Sequence, residues 1–112
     1  MKTGNSTAID YREWLLDQLR KDPEQAFQYL NAAFEDEELP VFLIALKDVI
    51  DAGAGIRGLS KATGLHRVSL HKMLSAKGNP TLTSLHAILG ALGLRLRIEK
   101  KPEARARRVK AG

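Results

Sequence analysis

The chain of 112 residues contains no cysteine, which excludes a disulfide framework, a thiolate zinc site and a thiol nucleophile. No apolar run is long enough to cross a bilayer. The opening MKTGNSTAIDYREW lacks the apolar stretch of a signal peptide, so the expectation is a soluble, cytoplasmic protein without membrane association. Carboxylates are missing from the sequence around His66, His71 and His86, and a zinc site needs three or four convergent ligands. None of Ser60, Ser69 and Ser75 has a base and an orienting acid placed by a motif. We therefore expect no metal, no cofactor and no catalysis.

What the chain does have is 44% hydrophobic residues, enough for one modest core. Its charge is unevenly distributed. Dividing at Gly55 leaves 5 basic and 11 acidic residues before it, a balance of −6, and 13 basic and 2 acidic after it, a balance of +11. The basic half suits a polyanion; the acidic half suits a cationic protein or only water.

Residues 1–9 show no periodicity and read as a disordered leader. From Asp10 the spacing is helical, with Tyr11, Trp14, Leu15 and Leu19 on one face as far as Lys21. Asp22 before Pro23 marks a second helix, because aspartate caps free amides and proline at the first helical position has no hydrogen bond to lose. Its inward stripe is Ala26, Phe27, Leu30, Ala33 and Phe34, so residues 10–36 form an N-terminal helical segment. The cluster EDEE at 35–38 is either solvated or favourable charge for a third helix from about Leu39. That helix should bury Phe42, Ala45, Leu46, Val49 and Ile50 before AGAG at 52–55 ends it.

Two short helices are expected next, 56–63 and 67 to about 76, separated by Gly64, Leu65 and His66. Beyond the loop KGNP, Thr81 is a good cap, and Leu82, Leu85, Ile88, Leu89 and Leu92 form a last stripe before Gly93. The period then changes to two: LRLRIE at 94–99 sets Leu94, Leu96 and Ile98 against Arg95, Arg97 and Glu99, as in a half-buried strand. The basic, proline-interrupted tail 100–112 reads as mobile, either an arm along DNA or an electrostatic cloud.

The stretch ATGLHRVSLHKML at 62–74 fits an ordinary helical corner or a helix-turn-helix. The second reading needs a small residue at the helix crossing and a residue tolerant of positive φ in the turn. Ser60 and Gly64, four apart, meet those demands, and Leu59, Leu65, Leu70 and Met73 fall where the pair must be buried.

On these residues, 41–93 resemble the Cro/C1-type (XRE) helix-turn-helix domain. The longer span from YREWLL at 11 to LRI at 98 resembles the addiction-module antidote family of HigA-like antitoxins, through YREWLLDQL, AFQYLNAAFED, VFLIALKDVIDA, TGLHRVSLHKMLS and GNPTLTSLHAILGALGLRL. The resemblance implies an all-α fold: a five-helix, lambda repressor-like domain over 37–93, extra N-terminal helices and a short C-terminal β-strand. It also implies a type II antitoxin that neutralises a RelE/ParE-like toxin encoded beside it and represses its own operon. The alternative is a stand-alone phage-type repressor without a toxin partner. The sequence departs from the family pattern at His66, where a small capping hydroxyl is usual, and at Val68 and His71, where an acid and an aromatic are common.

The N-terminal part of a recognition helix enters the major groove, so Arg67, Val68, Ser69, His71 and Lys72 are the candidates for base contact, a solvated face being the alternative. Arginine can grip guanine bidentately and valine can meet a thymine methyl. Arg57, Lys61, His66, Lys77 and Asn79 are candidates for holding phosphates, although a histidine at 66 could instead cap the helix. Tyr11, Trp14 and Leu15 are either core or contacts for the toxin. A lone strand leaves ladder groups unpaired, so Leu94, Leu96 and Ile98 are expected at a homodimer contact, which a palindromic operator on double-stranded DNA would match.

Overall fold

Asp22 and Pro23 make the first corner. In the computed structural model, which describes residues 4–36 and 38–102, α1 (Gly4–Lys21) stops just before them and α2 (Pro23–Asp36) starts on the proline. The Asp22 carboxylate accepts from the backbone N–H of Glu24 at 3.1 Å and of Gln25 at 3.4 Å. Two of the free amides at the helix start are thereby satisfied. α1 also takes in residues 4–9, which their lack of periodicity had assigned to a leader. A helix already committed downstream extends upstream because each further residue adds a hydrogen bond without a new nucleation cost. Residues 1–3 lie outside the described residues, as do 103–112 of the basic tail.

α3 (Leu39–Ala52) is the pivot of the fold: α1, α2 and α4 (Gly55–Thr63) pack on it, and α4 in turn holds α5 (Arg67–Met73) and α6 (Leu82–Ala91). Leu43, Leu46 and Ile50 of α3 are fully buried with Leu70 of α5 and Ile88 of α6, and each such side chain contributes about 1.5–3 kcal/mol relative to exposure. Leu30 and Ala33 of α2 belong to the same core, so the segment 10–36 is built into the body that carries 37–93. A smaller cluster of Leu19, Ala26 and Ala52 seats α1, with Leu15 and Leu16 packed against it.

Three expected core residues lie outside. Phe27 and Phe34 are 37% and 53% exposed, and Leu82 is 71% exposed. The α2 stripe is wider than the surface available to it: Ala26, Leu30 and Ala33 fill the contact, and Phe34 lies over the Phe42 ring with centroids 4.8 Å apart. Leu82 is the first residue of α6, where fewer neighbours surround the helix.

Among the described residues between 37 and 93 there are four helices instead of five. No further helix follows α6 among the described residues: Gly93, at φ +79°, reverses the chain in a Schellman motif. The N–H of Gly93 donates to Gly90 O at 3.0 Å and that of Leu94 to Leu89 O at 2.8 Å. Residues 94–99 form no strand, and none occurs among the described residues. The reason is the one that made the strand a dimer candidate: a ladder needs a second strand, and one copy of the chain supplies none. Alternation survives in part, with Leu94 and Leu96 packed on the core, Arg95 and Arg97 exposed, and Ile98 98% exposed. Among the described residues, no helix is long and apolar enough to cross a membrane.

Candidate functional site

The corner between α4 and α5 is fixed by hydrogen bonds that its own small polar residues supply. Gly64 adopts φ +80°, and its N–H donates to Ser60 O at 2.8 Å, ending α4 in the left-handed region that glycine occupies without strain. The Ser60 hydroxyl reaches past it to the Leu65 carbonyl oxygen at 2.6 Å. Thr63 adds a second brace, donating to Leu59 O at 2.8 Å and accepting from the Leu65 N–H at 3.1 Å.

α5 is anchored by Leu70, at 0% exposure, and by Leu74 immediately after it, at 3%. With that face turned inward, Arg67, Val68, Ser69, His71 and Lys72 are all exposed. An apolar Val68 left 63% exposed on the outer face has no packing role there. Arg57, Lys61, His66, Lys77 and Asn79 are exposed as well. His66 stands at the N-cap of α5 with extended backbone but makes no side-chain cap bond, which corrects the capping alternative. Its ring competes poorly with a short hydroxyl for the first-turn amides.

Beyond α5 the loop KGNP folds back on the helix. A Cβ built on Gly78 would lie 2.2 Å from the Met73 carbonyl oxygen and 2.8 Å from that of Lys72, so only glycine lets the loop come so close. The Gly78 N–H donates to Ser75 O at 2.8 Å. This contact sets Lys77 and Asn79 beside Ser69 and Lys72 around one open depression, joining candidates for phosphate contact to candidates for base contact. Gly78 escaped notice in the sequence because its φ is ordinary and its need arises from a backbone approach.

Along α3, around a depression that Arg12, Lys47 and Asp48 share with His71 of α5, a second polar arrangement ties α1 down. Arg12 donates to Asp48 Oδ1 at 3.0 Å and to Asp51 Oδ2 at 2.9 Å, and Lys47 donates to Asp51 Oδ2 at 3.0 Å. The Tyr29 hydroxyl donates to the other oxygen of Asp48 at 2.9 Å. Asp48 is the one buried charged residue among the described residues, and both its oxygens are thus engaged. Burial first, and then the bond to Asp48, raise the Tyr29 phenol far above its ordinary range. The sequence signal was available: Asp48 is spaced three from Ala45 and four from Ala52, both buried. Its partner, 36 residues away, could not be named.

Residues 11–100 match the family model described as probable addiction module antidote protein. The chain belongs to this family. A protein of Haemophilus influenzae described as uncharacterized is 29% identical over 77 residues, covering 69% of this chain and 78% of that protein. No solved structure matches the chain.

The matched span of this antidote-family chain opens on Tyr11. Tyr11 and Trp14 are 61% and 54% exposed, their rings 5.8 Å apart, while Leu15 is half-buried against the Leu19 cluster. The two aromatics are therefore surface residues, and Leu15 belongs more to the core. Among the described residues, no three His, Cys, Asp or Glu side chains converge as a metal would require.

Proposed function

We propose that the chain is the antitoxin of a type II toxin–antitoxin module, which binds and neutralises a RelE/ParE-like toxin and represses its own operon as a HigA-like, XRE-type DNA-binding dimer. The observation that carries the DNA-binding half is the outward face of α5, where Arg67, Val68, Ser69, His71 and Lys72 stand exposed on a helix anchored by Leu70 and Leu74. Arg67 is assigned to a guanine edge, Val68 to a thymine methyl, and Ser69, His71 and Lys72 to further base-edge contacts. Arg57, Lys61, His66, Lys77 and Asn79 hold the backbone on either side.

Membership of an antidote family supports the toxin-binding half. The exposed Tyr11 and Trp14 are the assigned contacts, with Leu15 beneath them. Exposed aromatics are favoured at interface cores, and the acidic balance of the N-terminal half suits a basic partner. The homodimer runs through Leu94, Leu96 and Ile98, and half-sites about one helical turn apart are expected in the operator.

Co-expression with the neighbouring gene tests the toxin half: a tagged antitoxin should retain the small basic product, and Trp14→Ala should weaken that retention without loss of fold. Footprinting on the duplex upstream of the gene tests the DNA half. Retention of no partner, together with a clear footprint, would favour a repressor that acts alone.

A further inference from the structure

Beside the segment 94–99 lies an apolar groove of about 230 Å³, walled by Phe27 and Phe34 of α2, Phe42 of α3, Leu89 of α6, and Leu94 and Leu96. The two α2 phenylalanines are the exposed ones, and Ile98, two residues past the end of the groove wall, has no cover at all. Ile98 cannot turn back into its own groove without breaking the alternation that seats Leu94 and Leu96, since two residues of extended chain carry it about 7 Å beyond Leu96. Resting on the dimer reading above, we propose that this groove receives Ile98 from a second copy of the chain, in one defined register.

Charge selects the register. Antiparallel pairing of a segment with its own copy keeps the apolar residues on one face only if the paired residue numbers add to an even total. Placing the twofold axis at Leu96 sets Leu94 against Ile98 but also sets Arg95 against Arg97 twice, and like charges directly opposite are unfavourable. With the axis at Arg97, Leu96 faces Ile98 twice and Arg95 faces Glu99 twice, leaving a single arginine pair at the axis. Moving the axis to Ile98 reduces the apolar matches to one and sets Arg95 against Lys101. The axis at Arg97 alone combines two apolar pairs with two opposite-charge pairs.

In that register Ile98 lies about 5 Å from the Leu96 of its partner, on the same face of the ribbon. Leu96 lines the groove, so the incoming Ile98 covers the side on which Phe27 and Phe34 stand exposed. Each copy completes the groove of the other.

The absence of native cysteine makes the test clean. Single variants Arg95→Cys, Arg97→Cys and Glu99→Cys of the full chain are oxidised and compared for covalent dimer, alongside sedimentation of the reduced proteins. Only Arg97→Cys should cross-link readily, because copies of residues 95 or 99 stand about 13 Å apart in this register. Dominant cross-linking at 95 or 99, or none at 97 in a protein that sediments as a dimer, overturns the register. A protein that sediments as a monomer at micromolar concentration overturns the dimer reading itself.

The groove is tested separately by mixing Asn31→Cys protomers with Ile98→Cys protomers and adding a short bis-maleimide, since Asn31 is exposed at the groove between Phe27 and Phe34. A covalent heterodimer is expected. Failure of this pair while Arg97→Cys still cross-links rejects the groove as the seat of Ile98 and leaves the pairing standing.

Discussion

The Ser60 hydroxyl donates to the Leu65 carbonyl oxygen at 2.6 Å, spanning the glycine turn and fixing the angle at which α5 leaves α4. With Gly64 at φ +80°, this bond makes the corner rigid, and the outward placement of Arg67, Val68, Ser69, His71 and Lys72 depends on it. Ser60→Ala should cost about 1 kcal/mol, the usual net value of one such bond. Gly64→Ala should cost about 1–2 kcal/mol, because an L-residue is strained in the left-handed region. Chemical denaturation of each variant checks both values.

Gly78→Ala should be more damaging than its surface position implies. The added methyl meets backbone atoms of Met73 and Lys72, which cannot rotate away, and overpacking of this kind costs about 1–3 kcal/mol. Because the loop carries Lys77 and Asn79, DNA affinity should fall as well. Lys77→Ala should lower affinity with no change in melting temperature, so measuring both quantities on both variants separates loop placement from loss of charge.

The Arg12, Asp48 and Tyr29 network should matter to stability. Tyr29→Phe removes a hydrogen bond to a charged group, at a cost of about 1.5–3 kcal/mol. It should also alter the alkaline limb of stability. The folded phenol holds its proton above the unfolded value, so its contribution is complete below about pH 10 and is lost as the pH climbs toward the folded value. Denaturation between neutral and strongly alkaline pH should show this decline in the native chain and a flatter course in Tyr29→Phe. Arg12→Ala leaves a buried carboxylate with only the tyrosine as partner. It should destabilise the chain and release α1 first, visible as faster hydrogen exchange in residues 10–21.

The parts of this fold legible in the sequence are those governed by neighbours along the chain. Asp22 before Pro23, Thr81 capping the Ser84 N–H at 3.0 Å, and Gly64 in the turn follow local rules and appear as expected. The exposure of Arg67, Val68, Ser69, His71 and Lys72 was likewise legible, since Leu70 and Met73 define the inner face of α5. What escaped depends on distant partners. Phe27 and Phe34 share the helical period of the core, yet the period does not say how wide a surface α3 offers. Asp48 needed Arg12 from another helix, and the need for glycine at 78 arises from the carbonyl of Met73. The strand pattern survives as alternating burial only over 94–97, without a ladder, because a ladder is a property of two segments.

The central claim is that the outer face of α5 reads base sequence while its surroundings hold phosphate. Fluorescence anisotropy over a range of salt, with the duplex upstream of the gene and a scrambled duplex of equal length, tests it directly. Arg67→Ala should lose about 1–3 kcal/mol on the upstream duplex and little on the scrambled one. Lys77→Ala should weaken both alike and flatten the salt dependence by about 0.9 in slope. Equal losses for Arg67→Ala on the two duplexes, or no preference of the native protein for the upstream one, would contradict the account.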